Sequence, residues 1–212
     1  METIKELTER VGGLSNPSKM PGFSYGIPAV DCVVGSMLRK VEGSTCSKCY
    51  ALKGMYVFVK NVKKAQAKRL AILLRDMDAW ADAMIALIGR KLKNREKVFR
   101  WHDSGDIQSR AHLEAIVRIA HALPDVSFWL PTREYGIVRS YVRQSGSFPD
   151  NLTVRVSAPM IGGTIEPIPS TVASTVGTGT GYACPAYTQG GECGHCRACW
   201  KKSVKSVDYP LH

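Results

Sequence analysis

Along the middle of the chain, apolar positions first repeat with the period of a helix and then settle into an alternation of strand and helix. Val62, Ala65, Leu70, Leu73 and Leu74 can share one face over residues 61–75. Trp80, Met84, Leu87, Ile88 and Leu92 form a second such face, and Asp76 or Asp78 between the two runs suits an N-cap. The other side of this block carries Lys63, Lys64, Lys68, Arg69, Arg90, Lys91 and Lys93, the pattern of a solvated helix face. Beyond it, residues 97–102 predict a strand. Residues 109–123 predict a helix, with Leu113, Ile116, Val117, Ala120 and Leu123 inward and Ser109 as its cap. Residues 126–130 form a second strand, 135–144 a shorter helix stopped by Ser145-Gly146, and 152–157 a third strand. Strands separated by helices imply parallel pairing with right-handed crossovers. The expected class is α/β: a partial (β/α) barrel or compact parallel sheet with helices, plus an irregular cysteine-rich C-terminal segment. A complete barrel typically needs about 250 residues, and this chain has 212.

The flanks read differently. Asn16-Pro17, Pro21-Gly22, Gly26 and Pro28 break regular structure, so 1–30 is expected to be an extended lead-in. A short turn is expected over 36–41. Residues 31–170 would form the α/β core with an N-terminal cysteine loop, and 171–212 a metal-binding segment packed on it. Gly177-Thr178-Gly179-Thr180-Gly181 reads as a connector, because no helix follows to make it a phosphate cradle. No apolar run approaches the roughly 20 residues of a membrane span, and the first ten residues lack the apolar stretch of a signal peptide. A cytoplasmic protein without a membrane partner is expected. The formal charge of +11 favours a phosphate-bearing partner, a nucleotide or nucleic acid.

Seven cysteines fall into two groups. In a reducing compartment such groups point to metal or catalysis rather than to disulfides. Cys193, Cys196 and Cys199 are spaced Cys-x2-Cys-x2-Cys, and Cys184 precedes Pro185. One loop of that spacing can wrap three ligands around an iron–sulfur cubane; zinc at four thiolates is the alternative. Cys32, Cys46 and Cys49 form the second group. Three cysteines on a four-iron cluster leave one iron open, so a three-plus-four division reads as a working centre and a supporting one. Cys32 as a plain buried thiol, or Cys46 and Cys49 as half of a zinc ribbon, are the competing readings.

Polar residues also crowd the expected strand ends, where parallel folds place ligands. After the first strand come His102, Asp103, Ser104, Gly105 and Asp106; after the second, Thr132, Arg133 and Glu134; at the end of the third, Ser157. His102 suits a general base oriented by Asp103 or Asp106, and Arg133 suits a carboxylate or phosphate. A helix-entry turn with capping acids is the plainer reading of 102–106. Trp200, Lys201, Lys202, Lys205 and Tyr209 form a basic, aromatic tail fit for a nucleic-acid backbone or simply for solvent, and His212 is a further candidate ligand.

The stretches 19–25 (KMPGFSY), 43–54 (GSTCSKCYALKG), 99–106 (FRWHDSGD) and 193–200 (CGHCRACW) resemble the bacteriophage gene-product-88 family, and the likeness runs from about residue 16 to the C-terminus. It implies a phage or prophage origin and the host cytoplasm. More remotely, a cysteine loop ending in Cys-x2-Cys-Tyr, then helix, strand and a small-Gly-acid turn, is similar in order to radical S-adenosylmethionine enzymes. That resemblance implies a [4Fe-4S] cluster on Cys32, Cys46 and Cys49, delivering one electron to S-adenosylmethionine to release a 5′-deoxyadenosyl radical. It implies cofactor positioning by Ser104, Gly105 and Asp106; from their places at the strand ends, Ser157 is a further cofactor-binding candidate and His102, Asp103, Arg133 and Glu134 are the catalytic candidates. Cys184, Cys193, Cys196 and Cys199 would hold an auxiliary cluster or structural zinc, and an electron donor would be required. The pattern departs from that family at two points: thirteen residues separate Cys32 from Cys46, and the acid of the turn is Asp106 rather than Glu. The alternatives are a non-catalytic zinc-stabilised phage protein that binds nucleic acid or protein, and a base-exchange or hydrolytic enzyme using Asp103 or Asp106 beside structural zinc.

Overall fold

The computed structural model describes residues 2–211; the candidate ligand His212 lies outside them. Thr3 caps the first helix, α1 (Ile4–Val11), by accepting from the Glu6 N–H, while the Glu6 carboxylate accepts from the Thr3 N–H. A short strand β1 (Phe23–Tyr25) follows, then α2 (Val33–Leu38) and α3 (Met55–Phe58). The helical block is α4 (Lys60–Arg75) and α5 (Met77–Lys91), with Asp76 as N-cap accepting from the Ala79 N–H at 2.9 Å. The alternation continues as β2 (Val98–Trp101), α6 (Arg110–Ala122) capped by Ser109, β3 (Ser127–Thr132), α7 (Tyr135–Ser145) and β4 (Leu152–Ser157). Three more strands follow: β5 (Val172–Val176), β6 (Tyr182–Ala183) and β7 (Ser206–Tyr209).

These strands form one parallel sheet in the order β1-β2-β3-β4-β5-β7-β6. β1 to β5 lie in sequence order, and right-handed crossovers then put the connecting helices on one face. Phe99, Trp101, Phe128, Leu130, Leu152, Val154 and Val156 alternate onto that face and share a core with Trp80, Leu87, Leu113 and Ile116 of the helices. The other face carries Val98 and Trp129, covered by Ala198, Cys199 and Trp200 of the C-terminal segment. The sheet is therefore the helix-backed, open arrangement expected, with the cysteine-rich segment lying on its helix-free face.

Four details differ from the sequence-based expectation. Residues 1–30 contain α1 and β1, and Leu7, Val11, Phe23 and Tyr25 belong to the main core. The proline- and glycine-rich stretch misleads because it reflects the turns around β1 rather than the whole lead-in. A short helix, α2, also occupies 33–38 in place of a turn at 36–41. In α4 the inward stripe is Gln66, Arg69 and Leu73, while Leu74 is 57% exposed. Arg69 is buried because three carbonyl and hydroxyl acceptors replace its water: Gly13 O, Ser15 Oγ and Gly26 O. Finally, the region after Pro159 adds β5, β6 and β7 to the sheet. The glycine–threonine run 177–181 is a connector, as expected, wrapped on a carboxylate of the same chain. Asp208 accepts from Thr175 Oγ1 at 2.6 Å, from Thr178 Oγ1 and from the Gly179 N–H, both at 2.9 Å. Among the described residues no helix is long and apolar enough to cross a membrane.

Candidate functional site

The C-terminal ends of β2, β3 and β4 meet, and of the expected polar residues Asp106, Thr132, Arg133 and Glu134 gather there. Gly105 turns the chain after β2 with φ +85°, against Ile27 beyond β1. Asp106, at the end of that turn, accepts from Thr132 Oγ1 at 2.6 Å and from the Ile107 N–H at 2.8 Å on Oδ1, and from the Arg133 N–H at 2.9 Å on Oδ2. Burial raises its pKa above the ordinary carboxylate range, although these three donors oppose the shift. Glu134 reaches from the end of β3 to the N-terminus of α2, accepting from the Val34 N–H at 2.9 Å. Its pKa is also raised, first by burial and then by the neighbouring Asp106.

The N-terminal cysteines stand over the same rim. Cys32 precedes α2, and Cys46 and Cys49 lie in the tight turn that follows. A methyl group on Gly35 would sit 3.6 Å from Cys32 Sγ and 3.8 Å from Cys46 Sγ, so both sulfurs border the same glycine. Burial raises the Cys32 thiol, and Asp106, Cys49, Cys46 and Glu134 raise it further. Burial likewise raises Cys46, opposed by the Arg133 charge. Three thiols and two carboxylates thus have two guanidinium neighbours, Arg133 and Arg39, a set still short of positive charge once the thiols ionise. That donor set fits a metal cation or cluster, whose charge would hold the thiols ionised. Among the described residues, no three His, Cys, Asp or Glu side chains converge tightly enough to be ligands of a single ion. Arg133 donates through Nε to Ala158 O at 3.4 Å, and Ser157 accepts on its backbone oxygen from Tyr135 OH at 2.6 Å. Ser157 Oγ pairs with Ser174 Oγ on the helix-free face, which turns it away from a role in holding a ligand over the rim.

His102 does not form the expected pair with an aspartate. Its backbone has φ +54°, and the ring packs edge-to-face on His112 at 5.3 Å beside Trp101. Neither ring nitrogen has a partner among the described residues, and burial, then His112 and Arg100, holds the pKa well below the usual range. Asp103 turns the other way, accepting from Ser24 Oγ at 2.8 Å and Tyr56 OH at 3.2 Å. Ser104 is buried and its hydroxyl is likewise unpartnered. The left-handed residue at 102 accounts for this: it sends the imidazole into the aromatic core while 103 faces the open side.

The C-terminal cysteines gather on the helix-free face. Burial raises the Cys193 thiol, and Cys184 and Cys196 add to it. Burial pushes Cys199 up to about 11, opposed by a 3.1 Å hydrogen bond with Tyr209 OH. Tyr182 OH lies 3.5 Å from Cys196 Sγ. Two arginines hold this region. Arg155, fully buried, donates to Ala173 O at 2.7 Å and to Ala198 O, Lys201 O and Val204 O at 3.2–3.3 Å. Arg100 stacks on Trp129 at 4.5 Å and donates to Tyr50 OH at 3.2 Å, while its charge acts on Cys193 and Cys199. Since Tyr50 follows Cys49, Arg100 stands between the two cysteine groups.

Sequence reasoning did not single out Arg100, Arg155, Gln66, Tyr50 or Tyr56. The signal for the arginines was present: each alternates with apolar residues inside a strand, where an unpaired charge is costly. The tyrosines and Gln66 carried none.

A family model described as gene product 88 matches residues 2–202. No curated protein and no solved structure matches the chain significantly. With nearly the whole length matched, and the motifs at 43–54, 99–106 and 193–200 all within it, the chain belongs to the gene product 88 family.

Proposed function

We propose that this protein is an iron–sulfur enzyme of the radical S-adenosylmethionine type, acting on a nucleotide, nucleic acid or other anionic substrate. The observation that carries the reading is the meeting of Cys32, Cys46 and Asp106 at the C-terminal edge of a parallel sheet whose first five strands run in sequence order. Cys32, Cys46 and Cys49 would hold a [4Fe-4S] cluster, which when bound supplies one-electron chemistry at its open iron. Asp106 and the backbone of 104–106 would orient the cofactor's polar end, Arg133 would neutralise the anionic rim, and Glu134 keeps α2 and Cys32 in place. Cys184, Cys193, Cys196 and Cys199 would hold a second, supporting centre, with Tyr209 and Arg155 fixing Cys199. An external electron donor would complete the cycle.

Zinc at the C-terminal group is the second reading, favoured by how completely backbone and arginine contacts immobilise that segment, as a structural site requires. Anaerobic purification with iron, sulfide and zinc analysis separates the two. About four to eight irons per chain, the content of one or two cubanes, with about four irons and their share of a reducible absorption band lost in Cys46→Ala, is the expected result. Zinc alone, with no iron taken up on reconstitution, would end the radical reading.

A further inference from the structure

A cavity of about 230 Å³ opens between α4, the end of β1 and the turn after β2, beside the cysteine rim. Asp103, Arg69, Gln66, Tyr56 and Ser15 line it, with Val62 and Ala65 as the apolar wall. Gln66 is only 5% exposed, yet its carboxamide has no hydrogen-bond partner among the described residues. The carboxamide therefore meets only what enters the cavity, and its donors and acceptor are free for a ligand. Arg69 spends Nε on Gly13 O and Nη1 on Ser15 Oγ and Gly26 O, leaving Nη2 without a partner among the described residues. Each Asp103 carboxylate oxygen accepts one hydrogen bond, from Ser24 or from Tyr56, so each keeps one lone pair. Gly26 is part of the construction, since a Cβ there would lie 2.5 Å from Asp103 Oδ1. The Asp103 and Arg69 charges act on one another across this space, and among the described residues no direct ion pair joins them.

A ligand for this cavity needs two adjacent donors for the carboxylate and acceptors for the guanidinium and carboxamide. We infer that the cavity binds a guanine-type nucleobase. N1–H and the N2 amine would face Asp103, and O6 and N7 would face Arg69 Nη2 and the Gln66 amide, the pairing that arginine makes with guanine elsewhere. Adenine presents a ring acceptor where the carboxylate stands and is rejected by it. Exposed Asn61 of α4 completes the lining, and the phosphate of a free nucleotide or of a single strand would lie outside the cavity, in solvent. This names a substrate class for the proposed enzyme, but its test reads binding alone. A protein that binds guanine and carries no iron keeps this inference and loses the enzymatic one.

The test is a calorimetric titration of the full chain with guanosine, adenosine and xanthosine monophosphates, and with a short oligothymidine strand bearing one guanine. Guanylate is expected to bind at least about tenfold tighter than adenylate. Asp103→Asn should move the preference from guanine to xanthine, because an amide donates where the xanthine O2 accepts. Gln66→Leu should weaken guanylate with an unchanged melting temperature, which keeps the test valid if Asp103→Asn fails to fold. Tighter binding of the strand than of the nucleotide assigns the base to single-stranded nucleic acid, and the reverse assigns it to a free nucleotide. Equal affinity for both purines, no binding, or a folded Asp103→Asn that gains nothing for xanthine would overturn the inference.

Discussion

At Gly105 an added methyl group would lie 2.3 Å from Ile27 Cγ1 and 2.8 Å from the Ile27 carbonyl oxygen, on a backbone with φ +85°. Both the contact and the dihedral exclude other residues. Gly105→Ala is expected to destabilise the fold by about 1–3 kcal/mol, read as a lower urea midpoint; an unchanged midpoint would mean the turn relaxes freely. The turn itself was legible, because a small residue, a glycine and an acid in succession after an apolar strand favour a reversal of the chain. What each side chain beside it does was not. His102 and Asp103 are neighbours in sequence, yet the positive φ of His102 sends one ring into the core and leaves the other side chain at the cavity. A dihedral of that kind leaves no trace in residue type, so the sequence offered a general-base pair or a helix-entry turn with capping acids, and neither placed the His102 ring in the core. Asp106 was readable in place but not in partner: its bonds to Thr132 and the Arg133 N–H come from another strand.

Among the elements, the C-terminal segment depends on one side chain. Arg155 of β4 terminates four carbonyl groups from β5 and the loop 198–204, and its neighbour Thr153 donates to Trp200 O at 2.8 Å. Arg155→Met would strand those carbonyls with no donor, and the expected cost is about 3–5 kcal/mol, the range for removing one partner of a buried charged network. Limited proteolysis should then cut at Lys201 or Lys205 while the helix-backed core stays resistant. If the whole chain and this segment lose protection together, the segment is no separate unit. Periodicity exposed α4 to α7 and β2 to β4 because long apolar faces repeat there. It missed β1, β5 and β7, which are only three to five residues long and owe their pairing to neighbours far along the chain. In α4 Leu73 is buried as expected, but Gln66 and Arg69 replace Ala65 and Leu70 as the most buried positions, since Arg69 is inward only because distant carbonyls accept from it.

At the scale of the whole molecule, two buried histidines set the response to acid. Burial lowers His112 to about 3, and burial, His112 and Arg100 lower His102 further below the usual range. In the unfolded chain both titrate near about 6.5. Below that value the unfolded chain takes up protons that the folded one refuses. Stability therefore falls with pH by about 1.4 kcal/mol per unit for each histidine, until the folded rings themselves titrate. Asp106 and Glu134 act oppositely: their raised pKa values favour the fold below about pH 4 and that contribution is lost as pH rises through the folded values. The histidine contribution declines between about pH 6.5 and 5, where the unfolded rings take up protons. Urea unfolding over that interval should show the decline, and His112→Gln should roughly halve its slope; a flat wild-type profile would show that the folded rings do take up protons there.

The four tryptophans are divided evenly between the layers. Trp80 and Trp101 lie 5.9 Å apart in the helix-backed core, whereas Trp129 and Trp200 meet at 5.2 Å where the cysteine-bearing segment covers the sheet. The protein thus contains two optical reporters of its own, one for each side of the sheet. Replacing both Trp129 and Trp200 by Phe leaves the tryptophan bands of near-ultraviolet circular dichroism to the helical layer alone, so the docking of the cysteine segment becomes visible by difference, without any added label.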